Sequence, residues 1–156
     1  MSKEIFQRPE DLHPTTPIRF IFERMNKREL PEGFDFDNSY NDYQKFLYLH
    51  HLYPEEKFPP NYNTDLLWHC HMKDPENYFQ DCMKWFGKIL GHDQTLVFSD
   101  EGRTKLKQMS ELTREKWKLH FNEEYIYERP TKTKTKNNVE GQNEKTEWND
   151  DGFYCG

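Results

Sequence analysis

Apolar side chains recur at spacings of three and four through roughly positions 5–127 and nearly vanish afterwards. Ile18, Ile21, Phe22 and Met25 give the first stripe. Thr15-Thr16-Pro17 opens that helix, with hydroxyl caps and a proline where its missing N–H costs nothing. Pro31 and Gly33 stop it. Phe34 and Phe36 read as loop residues folded back onto the core. A second helix, capped by Asn38 or Ser39, runs to about His51 with Tyr43, Phe46, Leu47 and His50 on its inner face, and Pro54 ends it. His50 and His51 diverge on such a helix, one inward and one outward, and imply no site. Pro59-Pro60 forbids helix over Lys57–Tyr62, because each proline disfavours the α region in the residue before it.

Thr64 then caps a short third helix from Asp65 to about Met72. Asp74-Pro75-Glu76 starts a fourth, whose Tyr78, Phe79, Cys82, Met83, Trp85, Phe86, Ile89 and Leu90 cover most of its circumference. This pattern predicts the buried centre of the fold, closed by Gly91. Thr95–Phe98 reads as a short extended piece. Ser99-Asp100-Glu101 opens the longest helix, with a stripe of Leu106, Met109, Thr113, Trp117 and Phe121. The pattern predicts an all-α fold: an irregular lead-in over 1–14, a single compact domain of about five helices over 15–128, and a disordered polar tail over 129–156.

Composition changes this picture in two ways. Only 33% of the chain is hydrophobic but 16% is aromatic, so twelve Phe, nine Tyr and four Trp build the core from few, large side chains. The net charge of −6 argues against a nucleic-acid or anionic-membrane partner, both of which need a basic face. Three cysteines without disulfide-framework spacing fit a reducing compartment. No apolar leader and no run near the ~18 apolar residues of a membrane span are visible, so a cytoplasmic or nuclear location is expected.

Candidate chemistry gathers in residues 63–82. On a helical wheel Asp65, Trp68, His69 and Met72 share a face, whereas His71 lies opposite with Leu67. Asp65 and His69, at i and i+4, could hydrogen-bond, so that the carboxylate fixes the ring's tautomer, or could ligate one ion together. Asp65, His69, His71 and His92 form the candidate metal set, with Cys82 as a further thiol, and this N/O-rich set suits zinc or iron. The competing reading makes Asp65 and His69 a structural polar pair and His71 a core histidine. No cation flanks Cys70 or Cys82, which argues against a cysteine nucleophile. Trp68, Tyr78, Asp81, Cys82 and Trp85 are assigned structural roles.

The segment Asp65-Leu-Leu-Trp68-His69-Cys-His71-Met72, followed by Pro75, Tyr78, Asp81-Cys82 and Gly87, resembles the glycine-rich domain-containing protein-like family. Tyr43-x-x-Phe46-Leu47, Tyr53-Pro54 and Pro60 extend the resemblance upstream, over about residues 15–125. The resemblance implies a domain found alone or fused to other modules, without a settled activity. Larger plant members resemble regulatory proteins of growth and stress responses, some with RNA-binding-like segments. This chain differs in being acidic and in having no glycine-rich region, only Cys155-Gly156 at its end, which argues against an RNA role. The sequence therefore reads as a non-catalytic protein-interaction or regulatory module with a protein partner. The alternative is a metal-binding protein or metal-dependent enzyme using the Asp65/His69/His71/His92 cluster.

Overall fold

The computed structural model describes residues 5–25 and 30–127, and the tail expected from 129 lies outside them. The described residues form five α-helices and no strand: α1 (Ile18–Arg24), α2 (Phe36–Leu52), α3 (Tyr62–Met72), α4 (Pro75–Phe86) and α5 (Asp100–Phe121). Short 3₁₀ turns cover Pro9–Asp11 and Leu96–Phe98. The all-α expectation holds. No helix among the described residues is long and apolar enough to cross a membrane.

The centre is α2 rather than α4. Asp35 caps α2 through the backbone N–H of Asn38, and the helix then buries Tyr43, Phe46, Leu47, Leu49 and His50. It packs against α3, α4 and the turn at Pro9–Asp11. The expected burial of α4 over most of its circumference does not hold, and the helix also ends early. Gly87 adopts φ 69° and terminates it four residues before Gly91, so Ile89 and Leu90 leave the helix. What remains of α4 is amphipathic: Tyr78, Cys82, Trp85 and Phe86 are buried, while Phe79 and Met83 face outward at 49% and 43% exposure.

Other boundaries also move for local reasons. The side chain of Asn61, not Thr64, caps α3 by accepting from the Thr64 N–H. Thr15 does not cap α1; its N–H and hydroxyl both donate to the carboxylate of Asp81 on α4. After Arg24 the chain turns extended at Met25, whose sulfur lies 3.1 Å from Cys70 Sγ. Phe34 and Phe36 do fold back, both onto Phe22 at ring distances of 5.4 and 5.2 Å, but Phe36 is the first residue of α2. Thr95–Phe98 is a turn rather than extended because Asp93 accepts from both the N–H and the hydroxyl of Thr95. Ser99 caps α5 as expected. Beyond α5, Tyr125 and Tyr127 return to the core. The Tyr125 hydroxyl accepts from the Asn61 N–H and donates to Thr64, and Tyr127 donates to the Pro59 carbonyl.

One glycine is required by close approach. A Cβ on Gly102 would lie 2.0 Å from the Leu96 carbonyl oxygen, so only glycine lets α5 meet the preceding turn. Gly102→Ala is expected to lose about 1–3 kcal/mol in urea unfolding, the usual cost of overpacking against unyielding backbone. An unchanged midpoint would mean that α5 and the turn can separate freely.

His50 supplies a pH prediction. Its Nε2 accepts from the Phe58 N–H, so the ring proton is on Nδ1 and is donated to the Phe46 carbonyl 3.0 Å away. Burial, helped by the Lys88 charge and opposed by the bond to Phe46, pushes its pKa down from 6.5 to about 4. The folded state therefore binds fewer protons than the unfolded chain between these values. The His50 contribution is complete above pH 6.5 and is lost as pH falls toward 4, by about 3 kcal/mol at most. Proton NMR should show the His50 ring neutral at pH 5.5; titration near 6.5 would contradict the assignment.

Candidate functional site

The fold separates the polar residues of α3 into two groups. His69 and His71 point apart, as the helical wheel predicts, and each meets a different carboxylate. Asp65 and His69 share one face, and their Oδ2 and Nε2 atoms lie 3.3 Å apart. His92 arrives from beyond α4 and places Nε2 2.6 Å from the other oxygen of Asp65. Asp65 is fully buried, with side-chain exposures of 21% for His69 and 9% for His92. One ligating atom from each of Asp65, His69 and His92 lies within 4.8 Å of the others.

The residues assigned structural roles hold His92 there. Trp68 is buried on α3 beside Phe46 and donates its indole N–H to the Tyr78 hydroxyl 2.9 Å away. Tyr78 in turn donates to the Leu90 carbonyl, and burial keeps its phenol protonated by raising its pKa. This relay ties the stretch after Gly87 back over α3. Trp68 then packs against the His92 ring, tilted by 39° at 4.4 Å between centroids. Trp85 is buried on α4, and its carbonyl accepts from His51 Nδ1.

His71 belongs to the second group. Its Nε2 lies 2.8 Å from Asp81 Oδ2 and its Nδ1 2.7 Å from the Tyr43 hydroxyl. A carboxylate only accepts, so Nε2 carries the proton and the Tyr43 hydroxyl donates to Nδ1 in the neutral ring. Burial raises the Tyr43 pKa well above its ordinary value, which keeps that donor protonated. With Thr15 donating twice to Asp81, both ring nitrogens and both carboxylate oxygens are satisfied inside the protein. The structure therefore brings Asp65, His69 and His92 together and places His71 elsewhere. Cys82 is a buried free thiol, and burial raises its pKa as it raises that of Cys70 to about 11.

Beside His92 lies a cleft of about 470 Å³ that the sequence did not reveal. Phe58, Trp68, Phe86, Leu96, Leu106 and Met109 give it apolar walls, with Glu55, Glu56, Lys57, Lys88 and Asp93 also on its lining. These residues come from five separate stretches of chain, so no single periodicity marks them. His50 and His92 line it too, and are its histidines.

Residues 19–81 match the family model described as Glycine-rich domain-containing protein-like. The chain is 36% identical over 88 residues to "Glycine-rich domain-containing protein 1" of Arabidopsis thaliana, covering 53% of this chain and 10% of that protein. It is 37% identical over 71 residues to "Glycine-rich domain-containing protein 2" of the same plant, covering 43% and 8%. The match thus spans about a tenth of the length of these curated relatives. No solved structure gives a significant match. The resemblance carried by Asp65-x-x-Trp68-His69-x-His71-Met72 is borne out: residues 19–81 of this chain match the glycine-rich domain-containing protein-like family.

Proposed function

We propose that this chain is a non-catalytic binding module that takes an apolar segment of a partner protein into the cleft beside His92. The cleft carries the reading. In a chain with a mean hydropathy of −1.19, about 470 Å³ walled by large apolar side chains is a costly surface to leave open to water. Its volume falls in the range of about 300–1,000 Å³ typical of sites that take small ligands, enough for one or two large side chains of a partner. Ile89, on its wall, is 54% exposed, and Phe98, beside its Val97, is 80% exposed. The mixed charges on the lining would orient a partner rather than drive binding. That the matched stretch spans about a tenth of the plant relatives also supports a module used inside larger proteins.

Indole and p-cresol, the side chains of tryptophan and tyrosine, probe the cleft directly. Titrated into isotope-labelled protein, they should shift amide signals of the cleft lining, with dissociation constants in about the millimolar range expected of fragments. Val97→Asp places a charge on the wall and should weaken both by about tenfold or more, the effect of losing roughly 1.4 kcal/mol. Shifts scattered over the surface, or unchanged in the variant, would contradict the reading.

A further inference from the structure

Asp65, His69 and His92 form an arrangement that the binding module does not use, although His92 also borders the cleft. We infer that they bind one divalent first-row cation, of zinc(II) or iron(II) type, through His69 Nε2, His92 Nε2 and the Asp65 carboxylate.

Three observations support this. The first is geometry. Ligands about 2.1 Å from a metal ion lie about 3.0–3.4 Å from one another in octahedral or tetrahedral arrangement. The observed separations of 2.6 Å and 3.3 Å, with all three atoms within 4.8 Å, need only small shifts to reach these values. The second is charge. Asp65 is fully buried, and no lysine or arginine among the described residues forms an ion pair with it. A buried carboxylate is costly without a positive partner, and a divalent cation between it and two neutral imidazoles supplies one.

The third is hydrogen bonding. Asp65 Oδ2 is buried and receives no hydrogen bond, although His69 Nε2 is only 3.3 Å away. By contrast the His71–Asp81 pair makes a direct bond of 2.8 Å. His92 Nδ1 is likewise buried with no hydrogen bond. The Asp65 oxygen 2.6 Å from Nε2 holds the ring proton there in the metal-free pair, but no bond fixes the tautomer at Nδ1, so the proton can move to Nδ1 and leave the Nε2 lone pair for a cation.

Two imidazoles and one carboxylate fill three coordination positions and leave at least one for water or another ligand. His69, the most exposed of the three at 21%, lies on the side toward solvent. This chemistry suits zinc and iron(II) far better than calcium or magnesium, which prefer all-oxygen sites.

Full-length protein without a histidine tag, stripped with chelator, would be repleted with zinc(II), or with iron(II) under anaerobic conditions. After desalting, elemental analysis should find one equivalent of one or both metals, and the melting temperature should rise with metal concentration. His69→Ala keeps the fold because the side chain is partly exposed, and it should weaken binding by more than about tenfold, the least that losing a ligand costs when losing a ligand's supporting partner costs about 10–100-fold. His92→Ala should do the same. No retained metal in the parent protein, or full stoichiometry in both variants, would overturn the assignment. Neither result depends on whether the cleft takes a partner.

Discussion

The buried chain from Thr15 through Asp81 and His71 to Tyr43 is the interaction on which the rest of the structure depends. It joins the approach to α1, α4, α3 and α2 at one point, with His71 and Tyr43 fully buried and Asp81 at 3% exposure. Each member is satisfied only while the others stay in place. Removing one partner of such a buried pair leaves an uncompensated polar group and typically costs about 3–5 kcal/mol. That is a large part of the roughly 5–15 kcal/mol that holds a domain together. The apolar core around it is mostly aromatic, and aromatic packing alone tolerates sliding. The polar chain fixes which turn of α3 faces which turn of α2 and α4.

That fixation has a consequence for the opposite face of α3. Once His71 is committed to Asp81, the register of the helix is set, and Asp65 and His69 must face the segment that follows α4. Trp68, Tyr78 and the Leu90 carbonyl then carry that segment back across α3, which brings His92 onto Asp65. The apolar cleft opens beside the same segment, between the Pro59-Pro60 stretch and the first turns of α5. A saturated polar chain on one side of the helix thus positions a less saturated cluster on the other.

Much of this was legible in the sequence because it is local. Helix spacing, the Ser99 cap and the Pro75 start are short-range patterns, and α4 and α5 begin where those patterns place them. The divergence of His69 and His71 followed from 100° per residue. What was not legible depends on contacts between distant residues. Thr15 looks like a helix cap until Asp81, far along the chain, takes its hydroxyl. Composition marked α4 as central, but a left-handed Gly87 ends it before Ile89. Tyr43 carried no sign of a histidine partner, and the cleft is built from stretches that share no periodicity. His92 was named as a candidate, yet its contact with Asp65 spans a turn whose course only the tertiary structure determines.

The most direct measurement is a double-mutant cycle on His71→Leu and Asp81→Leu, followed by urea unfolding. Each single variant leaves its partner buried with their shared hydrogen bond broken, whereas the double variant removes both groups. If the chain organises the fold, the double variant loses much less stability than the sum of the singles, with a coupling of about 2 kcal/mol or more. Additivity within about 0.5 kcal/mol would contradict the account, since His71 and Asp81 would then contribute as independent side chains rather than as one joint.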